Sequence, residues 1–271
     1  MANRNGARPF LKWAGGKSQL LPDLLRYAPG EYGRYYEPFL GGGALFFALQ
    51  PARAVLSDSN AQLIGAYQAV RQDVEALIRR LRRFRATRDA YYSVRARDPA
   101  DLSPMARAAR FIYLNRTCYN GLYRVNSAGR FNVPFGRYKN PRICDPEGLR
   151  AAGAALRRAR LRVGDFEAVT RPARAGDLVY FDPPFDPLSP TASFTSYTAG
   201  GFGPEEQARL ARLCRALAER GCHVMLSNSD TPLIRRLYRD FRLVELQARR
   251  AINRNANGRG PVTELLILNP K

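Results

Sequence analysis

Two textures of apolar and polar positions alternate along the chain. Short apolar runs at residues 35–39 and 52–56 predict buried strands, and helical stretches follow them at 44–49 and 60–70. Leu40-Gly41-Gly42-Gly43 lies between the first strand and the first helix, and the second strand ends at Ser57-Asp58. Strand, glycine loop, helix, strand and acid is the order that opens a doubly wound nucleotide-binding sheet. From about Val74 the texture changes. Leu77, Ile78, Leu81 and Phe84 interleave with Arg79, Arg80, Arg82, Arg83 and Arg85, which predicts an amphipathic helix with a basic outer face. A helix follows over 106–115. Residues 123–126, the turn Ser127-Ala128-Gly129 and residues 130–133 predict a β-hairpin. Near Asp145 the α/β alternation returns, with strands at 160–163, 178–181, 223–226, 241–246 and 265–268 and an amphipathic helix over 204–220. The pattern is one α/β core interrupted by a basic, mostly helical insert.

The 271 residues suffice for one large domain or a core carrying a smaller one, and 45% hydrophobic content provides a real core. Lys and Arg number 44 against 23 acids, a formal charge of +21, which points to a polyanionic partner. The excess is mostly arginine, suited to bidentate contacts with phosphate and guanine. Cys118, Cys144, Cys214 and Cys222 form no C-x-x-C pair, and His223 is the single histidine, so no metal site is expected. His223 lies in an apolar run and reads as structural. The first eight residues carry no apolar signal region, and no stretch of about 18 apolar residues exists, so the expected setting is a reducing cytoplasm without a membrane span.

Glycines at 41 and 43 would let backbone pass close to a ligand. The third glycine of a dinucleotide fingerprint would fall at Phe46, so that motif fails. Asp58 is placed to accept hydrogen bonds from ribose hydroxyls, or to cap the helix starting near Asn60. Trp13-Ala14-Gly15-Gly16-Lys17-Ser18 resembles the end of a phosphate loop, but its first glycine would fall at Leu11, so Lys17 reads instead as facing a carboxylate.

Asp182-Pro183-Pro184-Phe185 ends the most hydrophobic strand, where ligands of open α/β sheets sit. A carboxylate beside a carbonyl fixed by proline forms an acceptor pair for the two hydrogens of an exocyclic amine. Adenine N6 is such an amine, a poor nucleophile until its nitrogen pyramidalises. Phe185 would stack on the base. No Pro-Cys pair occurs, which disfavours transfer to cytosine C5.

On these residues the chain resembles the DNA adenine methylase (Dam) family, the α-group of adenine-N6 methyltransferases. The resemblance runs nearly the whole length: 10–17, Glu37-Pro38-Phe39-Leu40-Gly41-Gly42-Gly43, 57–60, 115–124, 131–136, 182–185 and 227–231. It implies an S-adenosylmethionine-dependent sheet from residues 1–58 and 145–271, and a DNA-recognition domain at 59–144. It implies that Trp13, Lys17, Phe39, Gly41, Gly43, Asp58 and Asp182 contact the cofactor, and that Asp165 and Phe166 hold its adenine. Lys12 and Arg124 would read guanines, Leu122 and Pro134 would touch thymine, and Tyr119 would wedge into the stack. Arg116, Asn120 and Tyr138 complete the expected DNA surface. The implied target is adenine N6 within GATC of duplex DNA, reached by base flipping and direct transfer, with a cognate restriction endonuclease as a compatible partner. Phe185 stands where the family more often has tyrosine, and Ser229 where some members carry histidine. Cytosine N4, RNA or a protein amide as acceptor, or a non-catalytic DNA-binding module, are the rival readings.

Overall fold

The computed structural model describes residues 6–188, 201–249 and 261–270. In chain order these form α1 (Leu21–Tyr27), β1 (Tyr35–Glu37), α2 (Ala44–Leu49), β2 (Ala54–Asp58), α3 (Ala61–Gln72), α4 (Val74–Leu81), α5 (Arg88–Ala96) and α6 (Pro104–Thr117). There follow α7 (Pro146–Leu156), β3 (Ala159–Val163), α8 (Phe166–Thr170), β4 (Leu178–Phe181), α9 (Pro204–Glu219), β5 (His223–Ser229), α10 (Pro232–Leu237), β6 (Arg242–Arg249) and β7 (Pro261–Leu268).

The strands make one sheet in the order β3-β2-β1-β4-β5-β7-β6. β1 runs parallel to β2 and β4, and β4 parallel to β5, while β7 is antiparallel to both β5 and β6. This is the expected doubly wound α/β sheet. Its order reverses between β1 and β4, the kind of switch point where such sheets bind ligands. The register Tyr35↔Leu178 and Tyr36↔Val179 brings the carboxyl ends of these two strands side by side, β1 leading to Phe39 and β4 to Asp182. Strands covered on both faces read as unbroken apolar runs. Leu178, Val179, Tyr180 and Phe181 are each at most 1% exposed.

The chain packs into two compact units. The first comprises residues 1–16, 40–50 and 57–164. Here α3 buries Leu63, Ile64, Tyr67 and Val70, and α6 buries every residue from Ala108 to Asn115. Helix starts are capped by side chains: Asn60 accepts from Gln62 and Leu63 N–H, and Asp73 from Ala76 N–H. α7 crosses α3 closely, since a Cβ on Gly153 would lie 2.8 Å from the carbonyl oxygen of Val70. The expected hairpin is a minimal antiparallel ladder. Bridges pair Val125 with Phe131 and Cys118 with Phe135, and Asn126 N–H donates to Arg130 O across the turn. A small core of Tyr91, Val94, Tyr113, Leu114, Cys118 and Val133 supports it.

The second unit comprises residues 17–39, 51–56 and 165–271. Its core packs Tyr36, Val55, Phe166, Val179, Phe181, Leu226 and Ile267 with the stripe Leu210, Cys214 and Leu217 of α9. His223, expected to be structural, opens β5 with an exposed side chain, and its backbone pairs with Leu178 and donates to Asp177 O. All four cysteines are free thiols. Among the described residues no helix is long and apolar enough to cross a membrane.

The sequence pattern did not predict α1, α5, α7, α8 or α10. α5 offers only Tyr91 and Val94 to the core, and α7 is largely alanine and glycine, so neither shows strong apolar periodicity.

On an open helix face, Gly→Ala would stabilise by about 1 kcal/mol through helix propensity. At Gly153 the clash with the Val70 carbonyl reverses the sign. Gly153→Ala should lose about 1–3 kcal/mol by overpacking. At this chain length that lowers the thermal midpoint by roughly 2–4 °C per kcal/mol; a raised midpoint would show that α7 shifts aside.

Candidate functional site

In the first unit, the glycine loop is held between an indole and a carboxylate. Gly41 and Gly43 take φ of +46° and +65°, and a Cβ on Gly41 would sit 2.7 Å from Trp13 Cδ1. Only glycine combines that conformation with that approach. Trp13 itself stacks on Tyr123 at 5.9 Å between ring centroids. Asp58 Oδ2 accepts the Gly41 N–H at 3.1 Å, and Oδ1 accepts the Asn60 N–H at 2.9 Å. Burial pushes this carboxyl up, and backbone N–H groups of Asn60, Gly41 and Ser59 pull it back. The helix cap is Asn60, so Asp58 is not spent on capping α3. Its carboxylate keeps lone pairs for further donors such as hydroxyls.

The expected DNA-reading residues also belong to this unit. Asn115 clamps the backbone of Lys12, accepting its N–H at 2.8 Å and donating to its carbonyl at 2.6 Å. The stem of Lys12 lies against Gly121, where a Cβ would come within 2.4 Å, and its Nζ lies 4.1 Å from the Tyr138 ring centroid. Burial pushes the Lys12 ammonium down, and nearby Arg116 adds to that. Tyr119 is 53% exposed, and Asn120, Arg124 and Pro134 are exposed as well. Tyr119 N–H donates to Pro134 O at 2.8 Å, tying the two segments together. Arg124 Nε donates to Asn132 Oδ1 at 2.7 Å. Leu122 is half-buried on the hairpin core, and Arg116 is half-buried with its Nε on Arg142 O at 2.9 Å. Asn132, the orienting partner of Arg124, was not singled out in the sequence, although the expected hairpin of 123–126 with 130–133 sets the two residues opposite each other.

In the second unit, Asp182 leaves the end of β4 and meets Lys17. The Lys17 side chain is 6% exposed, and its Nζ lies 2.9 Å from Asp182 Oδ1, 3.9 Å from Glu264 Oε2 and 4.4 Å from the Phe185 ring centroid. Lys17 does face a carboxylate, and within this unit that carboxylate belongs to the protein. Burial pushes the Asp182 carboxyl above its ordinary range, and the charge and hydrogen bond of Lys17 hold it back.

The loop after Asp182 is braced from two elements. Gln207 of α9 donates to Pro184 O at 2.9 Å and accepts from Asn228 Nδ2 at 3.0 Å. Asn228 Oδ1 receives the Asp186 N–H at 3.1 Å, Ser229 Oγ donates to Asp186 O, and Thr231 Oγ1 donates to Asp186 Oδ2 at 2.6 Å. Gln207 and Asn228 are fully buried. The late motif at 227–231 is therefore the seat of the Asp-Pro-Pro-Phe loop. Gln207 was missed, although its place on the apolar stripe of α9, three and four residues before Leu210 and Ala211, was a usable signal.

Phe39, Phe166 and Phe202 form an aromatic trio with centroids 5.4–6.0 Å apart. The guanidinium of Arg209 lies 4.3 Å from the Phe166 ring centroid, pairs with Asp165, and reaches Glu167 and Glu206 at 3.1 and 2.9 Å. Phe202 and Arg209 had not been singled out in the sequence.

Residues 13–252 match the model of the D12 class N6 adenine-specific DNA methyltransferases. The chain is 43% identical over 275 residues to the type II methyltransferase M1.LlaDCHI of Lactococcus lactis subsp. cremoris, covering 98% of this chain and 97% of that one. It is 42% identical to the type II methyltransferase M.MjaIII of Methanocaldococcus jannaschii, over 97% of this chain and 99% of that one. To the DNA adenine methylase of Escherichia coli K12 it is 40% identical over 266 residues, 96% of this chain and 95% of that one. A match of this extent, on a sheet of this order with Asp182 at its switch point, settles the family: the chain belongs to the D12 class N6 adenine-specific DNA methyltransferases.

Proposed function

We propose that this enzyme methylates adenine N6 within GATC of duplex DNA, using S-adenosylmethionine and a target base rotated out of the helix. The observation that carries the reading is the pair of buried Lys17 with half-buried Asp182 at the head of a braced Pro-Pro loop. The cofactor family fits the residues present in each unit. In the first, Trp13, Gly41, Gly43 and Asp58 offer a bare backbone, an indole face and a carboxylate with spare lone pairs. In the second, Phe39, Phe166 and Asp165 offer aromatic faces and an acid for an adenine, with Lys17 and Asp182 near the reacting end. When bound, S-adenosylmethionine would supply an electrophilic methyl on a positively charged sulfur, which would keep the C–S bonding pair and leave as a neutral thioether.

The chain's own task is to make N6 a nucleophile. The amine lone pair is delocalised into the adenine ring. Asp182 Oδ and the Pro183 carbonyl accept the two amine hydrogens, which favours pyramidal nitrogen and a localised lone pair. As the N–C bond forms, one amine proton becomes acidic and moves toward Asp182. Lys17 keeps Asp182 ionised until that moment, against the push of burial. Phe185 and Pro184 wall the base, and Gln207 fixes the loop that carries the acceptors. Rotating the base out of the stack costs a few kcal/mol, which exposed Tyr119 offsets by filling the gap.

Residues 59–144 would act as the recognition domain, and 1–58 with 145–271 as the catalytic domain. Asn132 holds Arg124 by Nε alone, which leaves the Nη groups to address guanine O6 and N7. Lys12 reads the second guanine. Leu122 and Pro134 meet thymine methyls, and Arg116, Asn120 and Tyr138 shape the surface around them. The names of two relatives as type II methyltransferases favour a cognate restriction endonuclease acting on the same sites, and a DNA substrate favours a cytoplasmic setting.

The test uses labelled methyl donor with two duplexes of equal composition, one containing GATC and one scrambled. N6-methyladenine should form on the GATC duplex only; equal methylation of both would remove the GATC assignment. Arg124→Ala should lower the GATC-over-scrambled preference by about 5- to 150-fold, the equivalent of roughly 1–3 kcal/mol. Asp182→Asn should cut kcat by about 10²–10³, the usual scale for losing one polar group poised at a transition state.

Lys17 depresses the Asp182 pKa, so removing it lets that pKa rise. In Lys17→Met the acid limb of the pH–rate profile should therefore move to higher pH, with activity lost first on the acidic side. An unmoved limb would show that Lys17 does not set the ionisation of Asp182.

A further inference from the structure

A second basic feature of the first unit lies apart from the expected DNA-reading residues. The end of α4, the segment after it, α5 and α6 line an open cavity of about 390 Å³. Arg80, Arg83, Arg85 and Arg97 stand exposed around it, and Arg110 is buried in its wall at 4% exposure. Among the described residues none of the five forms an ion pair. Arg110 is held only by backbone carbonyls, donating from Nε to Val94 O at 3.1 Å and from Nη2 to Arg95 O at 2.7 Å. Asp98 caps the turn at Pro99–Asp101 through Ala100 N–H, and its charge reaches Arg110 without forming an ion pair. A buried guanidinium with no carboxylate within ion-pair distance, ringed by four more, is a site of excess positive charge. Phe84 stiffens the wall by stacking on Tyr113 at 4.4 Å.

α5 relates this cavity to the hairpin. Ala90, Ser93 and Val94 share the face that lines the cavity, and Arg97 follows at the extended C-cap. Tyr91 and Arg95 share another face, and both donate to Val133 O of the hairpin, at 2.8 and 3.2 Å. One helix thus separates the two features, a distance of about 10 Å. Phosphates along one DNA strand advance about 3.4 Å per base pair, so on a duplex whose axis follows that direction about 10 Å is roughly three base pairs.

We propose that this arginine cavity binds a backbone phosphate of the DNA flanking the recognition sequence, about three base pairs beyond the bases that the hairpin reads. The inference rests on the reading of residues 119–138 as the DNA-facing segment. It adds a sequence-independent anchor that positions the enzyme without reading bases.

The experiment measures binding of the full chain and of Arg83→Ala/Arg97→Ala to duplexes whose central four base pairs carry flanks of about 2 or about 10 base pairs, sizes set by that helix spacing. Both exposed arginines can be removed without touching the core, and thermal melting checks that the variant folds. On long flanks the variant should bind about tenfold more weakly, and the slope of log K against log salt should fall by about one. On short flanks the two proteins should bind alike. Equal weakening at both lengths, or at neither, would falsify the anchor. Arg157→Ala/Arg158→Ala, an exposed pair outside the cavity, serves as the charge control, and an identical flank-dependent loss there would overturn the site in favour of the general positive field. Because phosphate contact carries no sequence, the flank effect should persist on a scrambled centre, so failure of the GATC reading shows separately as equal binding to both centres.

Discussion

A carboxylate at the carboxyl end of a strand buried on both faces is costly to keep charged, and the second unit is arranged around that cost at Asp182. The strand Leu178–Phe181 is fully covered, so the chain leaves it in a low-dielectric setting where burial favours the neutral acid. One nearly buried ammonium, Lys17 at 2.9 Å, opposes it. The acid must also point in a fixed direction. Proline restricts the backbone after it, and the buried Gln207–Asn228 pair grips the Pro184 carbonyl and the Asp186 N–H. A fully satisfied polar network of this kind gives rigidity that an apolar wall would not.

The first unit solves a different problem, which is to display polar side chains while burying what holds them. Lys12 is fixed through its backbone by Asn115, not through its ammonium. Arg124 is fixed at one nitrogen by Asn132. Tyr119, Asn120 and Pro134 stay exposed, and the hairpin beneath them rests on Tyr91, Tyr113 and Val133. The short ladder is therefore held by its small core more than by strand pairing, since two isolated bridges alone would be marginal. The five arginines of the α4–α5–α6 cavity extend the same division, with Arg110 locked to backbone and the others left outward.

The sequence by itself determined the class of sheet, its central strands and the location of its motifs. Strand β4 was legible because Leu178–Phe181 is an unbroken apolar run, and α2 because its apolar residues follow directly on the glycines. Asp58, Asp182 and the glycine loop were legible because each ends a strand, where chain direction alone places a residue at the ligand edge. The basic insert showed in its composition. Short or low-contrast helices such as α5 and α7 left no such trace, because their few apolar positions acquire meaning only against the elements they meet.

Only the tertiary structure decided which groups meet. Lys17 and Asp182 lie far apart in sequence, and no local pattern pairs them. Gln207 looks like any helical glutamine until β5 brings Asn228 against it. Arg209 joins Asp165 only once α9 packs against α8, and the arginine cavity exists only where α4, α5 and α6 converge. The reason is physical. Apolar periodicity and turn chemistry act over a few residues and are written locally, whereas ion pairs, braces and charged cavities depend on distances set by packing between segments remote in the chain.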